Sequence, residues 1–162
     1  MKYIQDSVEL SGQHLTVLPN LTDVIINAGY FDCGRNYLTS LEGCPEKILG
    51  TFYCSENKLT SLKYGPKEVG RGYQCQQNLI TELEGIPEII NGDFYCAGNK
   101  LTSLKGCPRI VTNSFSCADN QLTSLEHCPK TVGGIFDCSG NKVKFTEEEV
   151  RAVCQVKGTI YV

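Results

Sequence analysis

Little in the sequence points toward a membrane, an export route or a reaction centre. The N-terminus, MKYIQDSVELSGQ, has no apolar run of the roughly 7–15 residues that a secretory signal needs. No stretch approaches the roughly 18 apolar residues of a membrane-spanning helix. The net charge is only −3, which gives no general attraction to nucleic acid or to an anionic membrane. Histidine is confined to His14 and His127 and no Cys-x-x-Cys pair exists, so the usual zinc-ligand spacing is absent. Gly-x-Gly-x-x-Gly and Walker patterns are missing as well. These absences predict a cytoplasmic protein with no cofactor, no bound metal, and neither nucleic acid nor membrane as a partner.

Cysteine, by contrast, is abundant, with ten in 162 residues. In a secreted chain that count would suggest disulfides; with no export signal the thiols are expected to stay reduced. Apolar residues make up 41% of the chain and charged residues 20%, a balance that favours folding over disorder. The apolar residues recur with a fixed period. Leu38, Leu59, Ile80, Leu101, Leu122 and Val143 are separated by five consecutive steps of 21 residues. A looser copy starts at Leu15, 23 residues ahead of Leu38, and the segment from Val8 to Leu15 fits the strand half of an earlier one. The consensus is L-T-S-L-(E/K)-G-C-P-x-x-(V/I)-x-G-x-F-x-C-x-x-N-x.

One such unit cannot bury its apolar face alone, whereas stacked units share a continuous core. In its strand, alternate side chains point to opposite faces, so Phe52 and Cys54 go inward while Thr51, Tyr53 and Ser55 go outward. The inward column recurs as Phe31/Cys33, Tyr73/Cys75, Phe94/Cys96, Phe115/Cys117 and Phe136/Cys138. Asn36, Asn57, Asn78, Asn99, Asn120 and Asn141 fall where the chain leaves the strand, and a short amide there can satisfy backbone groups of the bend. Pro45, Pro66, Pro87, Pro108 and Pro129 favour an extended, polyproline-like return path over a helix. Glu42, Lys63, Glu84, Lys105 and Glu126 share one column with alternating sign, which predicts ion pairs between successive turns.

The string Phe52-x-Cys54-x-x-Asn57-x-Leu59-x-x-Leu62 resembles the core of the leucine-rich-repeat family, L-x-L-x-x-N-x-L-x-x-L, with Phe and Cys in the first two leucine places. The short period and the proline after L-T-S-L resemble the bacterial subtype of secreted effectors, and similar proteins occur in bacteria and their phages. The resemblance covers roughly Val8 to Phe145. It implies a right-handed β-solenoid with a parallel sheet on its concave face, and a bacterial cytosol or phage-infected cell as its setting. It implies no reaction.

The whole chain, 1–162, reads as a single domain with residues 1–14 as an N-terminal cap and half repeat, 15–145 as repeats, and 146–162 as a C-terminal cap. An open solenoid needs such caps to cover its end strands. Thr146 and Glu149 form a capping box, and Val150, Val153 and Cys154 are the expected apolar stripe of a short helix. Thr159–Val162 reads as a closing strand.

Function then has few places to lie. The one-per-turn cysteines belong to the inward column, where a partial second column (Cys44, Cys107, Cys128) tolerates Gly65 and Ile86, as packing positions do. Cys117-Ala118-Asp119 has the C-x-D form of the ligase domain that follows similar repeats in bacterial effectors, but it sits inside a repeat with no neighbouring histidine as base. Lys58, Lys100 and Lys142 form a rim line that reads as solvated. The outward strand columns remain, with five acids against one base, Arg35, and with exposed tyrosines that suit binding hot spots. The candidate binding residues are Tyr30, Asp32, Tyr53, Glu56, Gln74, Asp93, Tyr95, Asp119 and Asp137. The expected function is a non-enzymatic protein-binding module acting through this face, with a protein partner that it can inhibit or sequester. The alternatives are a self-associating structural adaptor and a metal- or thiol-dependent enzyme.

Overall fold

The computed structural model describes residues 2–162. The chain alternates between two faces through β1 (Lys2–Ile4), β2 (Val8–Glu9), β3 (Val24–Ile26), β4 (Phe31–Asp32), β5 (Lys47–Ile48), β6 (Phe52–Tyr53), β7 (Glu68–Val69) and β8 (Tyr73–Gln74). It continues through β9 (Ile89–Ile90), β10 (Phe94–Tyr95), β11 (Ile110–Val111), β12 (Phe115–Ser116), β13 (Thr131–Val132) and β14 (Phe136–Asp137). Helix α1 (Glu147–Val153), β15 (Gln155–Val156) and β16 (Ile160–Tyr161) close it. The even-numbered strands form one eight-stranded sheet, all parallel and in chain order, which gives a solenoid of about eight turns.

The return path is more regular than the prolines alone predict. Each odd-numbered strand adds two or three residues of parallel pairing on the opposite side, and these strands form two four-stranded sheets, β1-β3-β5-β7 and β9-β11-β13-β15. Strands β7 and β9 belong to different sheets, so this ladder is interrupted while the eight-stranded one runs through. The interruption adjoins a turn with two substitutions in its core. There Gly65 replaces the cysteine of Cys44 and Tyr73 replaces the recurrent Phe. The Tyr73 hydroxyl lies 2.9 Å from where a Cβ on Gly65 would stand, so the phenol fills the room that the glycine leaves.

Packing within the solenoid is columnar. Phe31, Phe52, Tyr73, Phe94, Phe115 and Phe136 are fully buried, with successive ring centroids 5.0–6.1 Å apart in stacked or edge-on contact. The small cysteine beside each ring lets the next turn approach, and the Cys33, Cys75 and Cys96 thiols also donate to the carbonyls of Tyr53, Tyr95 and Ser116 at 3.3–3.4 Å. The asparagines bind two turns together. Asn78 Oδ1 accepts the Leu59 N–H at 3.0 Å, and its amide donates to the carbonyls of Cys54, Cys75 and Gln76. Turns stack so closely at Gly50 that an added Cβ would come within 1.3 Å of the Gly29 carbonyl oxygen.

At the C-terminal end the capping box forms as predicted. Glu149 N–H donates to Thr146 Oγ1 at 3.2 Å, and Thr146 N–H donates to Glu149 Oε2 at 2.8 Å. Val150 and Cys154 are buried but Val153 is 38% exposed, so the expected stripe is narrower by one residue. The charge ladder needs a larger correction. Among the described residues, none of Glu42, Lys63, Glu84 and Lys105 joins an ion pair, and Glu126 meets only its neighbour His127; Lys63 lies instead over the Tyr64 ring. Pairing between turns occurs a few residues later, in Glu46–Lys67 (2.6 Å), Lys47–Glu68 (2.8 Å) and Glu88–Arg109 (3.0 Å). Lys47 and Glu68 are register partners on β5 and β7, where the strand ladder holds side chains at contact spacing; the Glu42 column lies outside any strand.

Candidate functional site

The even-numbered strands carry their second residue outward. Their register aligns Glu9, Asp32, Tyr53, Gln74, Tyr95, Ser116, Asp137 and Tyr161 in one column. Eight rungs spaced about 4.8 Å apart make this column about 34 Å long. Tyr30 and Asp93 stand two residues ahead of it in their turns, while Glu56 and Asp119 follow it. These last two have φ of +55° and +51°, a left-handed bend at the strand's end that costs any side chain strain.

The structure gathers the predicted residues into two clusters. In the N-terminal one, Tyr30 donates its hydroxyl proton to Glu9 Oε2 at 3.1 Å and meets the Tyr53 ring edge-on at 5.8 Å. That hydrogen bond and the Glu9 charge raise the Tyr30 phenol above its ordinary pKa. The Asp32 carboxyl is also raised, chiefly by desolvation, against a lowering hydrogen bond from the Gly34 N–H at 2.7 Å. The one base predicted for this face, Arg35, pairs with Glu56 at 3.1 Å.

The C-terminal cluster is organised around Tyr95, Asp137 and Tyr161. Desolvation, followed by the charge of Asp93, raises the Tyr95 phenol. Asp93 Oδ1 accepts the Ser114 N–H at 3.0 Å. Asp137 Oδ1 accepts two bonds from Ser139, from its N–H at 3.1 Å and its hydroxyl at 2.7 Å. A depression of about 360 Å³ opens here, walled by Tyr95, Ile135 and Tyr161 over Ser116 and Asp137. Gln74 lies between the clusters, its Oε1 accepting from Gln76 Nε2 at 3.4 Å. Gln76 Oε1 is shut off from solvent and has no hydrogen-bond partner among the described residues.

Asp119 stands apart from both clusters, with its carboxylate over Gly140 of the next turn. Cys117 is fully buried while Asp119 is exposed, and burial pushes the Cys117 thiol up. Sequence reasoning missed Tyr161, because the closing strand follows a helix and falls outside the 21-residue period. Pairing that strand with β14 places Tyr161 beside Asp137. As a surface, the face offers carboxylates, amide and hydroxyl acceptors, and aromatic rings; the thiols of its strands point into the core. Compared with known proteins, the chain matches no family model and no curated sequence.

Proposed function

We propose that this chain is a leucine-rich-repeat protein that binds a partner protein across its eight-stranded sheet, and that holding the partner, so as to inhibit or sequester it, is its activity rather than catalysis. The observation carrying this reading is the outward column from Glu9 to Tyr161. It presents acids, amides and tyrosines on a sheet whose inward columns are monotonous and tightly packed. Rigid aromatic side chains give large contact area at little entropic cost, and they concentrate binding energy. Tyr53 and Tyr95 sit in that column two rungs apart, about 10 Å, so one partner can engage both.

The test is the double variant Tyr53→Ala/Tyr95→Ala. Both side chains are only half-buried, so the fold is expected to survive, with circular dichroism and urea unfolding as the check. Affinity capture from extracts of the native source should recover a partner with the parent chain and lose it with the variant. Equal recovery by both chains would refute the assignment of the face.

A further inference from the structure

We infer that the depression between Tyr95 and Tyr161 is a subsite for an arginine side chain, carried on a basic, extended segment of the partner. The inference rests on the eight-stranded sheet being the binding face and adds the chemistry of what it binds. From Gly72 onward the outward strand columns carry three acids, Asp93, Asp119 and Asp137, and no base, so charge complementarity calls for a cation. The depression adds the geometry that charge alone lacks.

Asp137 is held ready for a guanidinium. Both bonds from Ser139 reach Oδ1, which orients the carboxylate, and Oδ2 takes no bond from the described residues. Tyr161 is the register partner of Asp137 and 51% exposed, so a cation bound to the carboxylate lies beside an aromatic ring. Ile135, 40% exposed, gives the methylene stem an apolar wall. A planar cation that donates to the open carboxylate oxygen while stacking its face on a ring is a property of arginine, not lysine.

The other end of the depression says how the segment lies. Gln76 lines that end and stands three rungs from Asp137, about 14 Å, which an extended chain crosses in about four residues. A peptide laid across the rungs thus places arginine against Asp137 while its backbone passes Tyr95 and ends over Gln76.

The experiment uses the full chain, with acetylated hexa-arginine amide as the probe and its hexa-citrulline and hexa-lysine counterparts as comparisons, titrated by calorimetry at low salt. Hexa-arginine should bind more tightly than hexa-lysine, and hexa-citrulline should not bind. Asp137→Asn and Tyr161→Ala should each weaken hexa-arginine by about tenfold or more, the scale of a hot-spot residue. Tyr161→Phe, which keeps the ring, and Glu126→Gln, which removes the same charge elsewhere, should leave it unchanged. Equal weakening by Asp137→Asn and Glu126→Gln would show a general charge effect and overturn the subsite, as would equal affinity for lysine. If Tyr53→Ala/Tyr95→Ala loses the native partner while the peptides show either of these overturning patterns, the arginine subsite falls and the binding face stands. If neither the double variant nor Asp137→Asn changes capture of that partner or of the peptide, both fall.

Discussion

Raising the pH should unfold this protein over a narrow interval just above the ordinary pKa of a thiol. Cys33, Cys44, Cys54, Cys75, Cys96 and Cys117 are buried in the stacked core, and desolvation is the largest cause raising each of their pKa values. In the unfolded chain the same groups ionise near about pH 8.5. The folded state therefore holds more protons above that pH, so stability that is complete below about pH 8.5 is lost as pH rises. Each thiol that ionises only on unfolding costs about 0.8 kcal/mol at pH 9 and about 1.4 kcal/mol at pH 9.5. Six of them cost about 5 and about 8 kcal/mol, against the roughly 5–15 kcal/mol that holds an ordinary domain together.

The assay is urea unfolding followed by far-UV circular dichroism in steps from about pH 7.5 to about pH 10, a window bracketing the unfolded thiol pKa. A phosphine reductant keeps oxidation out of the measurement. The urea midpoint should hold to about pH 8 and then fall steeply, with unfolding in the absence of urea between about pH 9 and pH 10. A variant with Cys54, Cys75 and Cys96 replaced by alanine should start less stable and lose stability with pH less steeply, since three of the linked protons are gone. An unfolding free energy that stays level to about pH 10 would refute the reasoning, because it would mean that these thiols ionise without leaving the folded state.

Two further expectations concern single groups. Asn78→Ala removes an amide that holds four backbone groups in two turns, and it should cost about 2 kcal/mol in urea unfolding, chiefly because the buried Leu59 N–H loses its acceptor, while the Cys54 and Cys75 carbonyls keep the Asn57 and Asn99 amides. Tyr73→Phe removes a buried hydroxyl with no hydrogen-bond partner among the described residues, and it should raise stability by about 1 kcal/mol; a loss of stability would show that filling the space over Gly65 outweighs the unpartnered oxygen.

The inward columns were legible in the sequence because each is fixed by contact with the same position one turn away. A ring at Phe52 needs a ring or its equal at Phe31 and Tyr73, and Asn57 must reach both Cys33 and Cys54 carbonyls, so a 21-residue period leaves its mark in residue type. Features set by side-chain direction were not legible. Glu42 and Lys63 alternate in sign as convincingly as Glu46 and Lys67, yet only the second pair closes, beside strands that hold neighbouring turns in register. The link between Gly65 and Tyr73 was hidden for a similar reason, since only the Tyr73 hydroxyl, 2.9 Å from where a Cβ on Gly65 would stand, shows the two to be one exchange of volume. Tyr161 was visible as a residue but not as a member of the face, because α1 lengthens the last turn and shifts the spacing to 24 residues from Asp137.

The two clusters on the outward face are not equivalent as binding sites, and the difference follows from their shape and from the partners their charges already have. Glu9 accepts from Tyr30 and Glu56 holds Arg35, so a partner bonding to either exchanges one contact for another and gains little. Asp32 and Asp137 each accept through Oδ1 alone, but only Asp137 adjoins a depression, walled by Tyr95, Ile135 and Tyr161. A charged hydrogen bond is worth more where the surroundings exclude water. Affinity on this face should therefore be concentrated from Tyr95 to Tyr161, with the Tyr30–Tyr53 pair adding contact area and orientation. Charge removal at Asp32 and at Asp137 separates the two contributions, since both residues occupy the same column and only the second adjoins the depression.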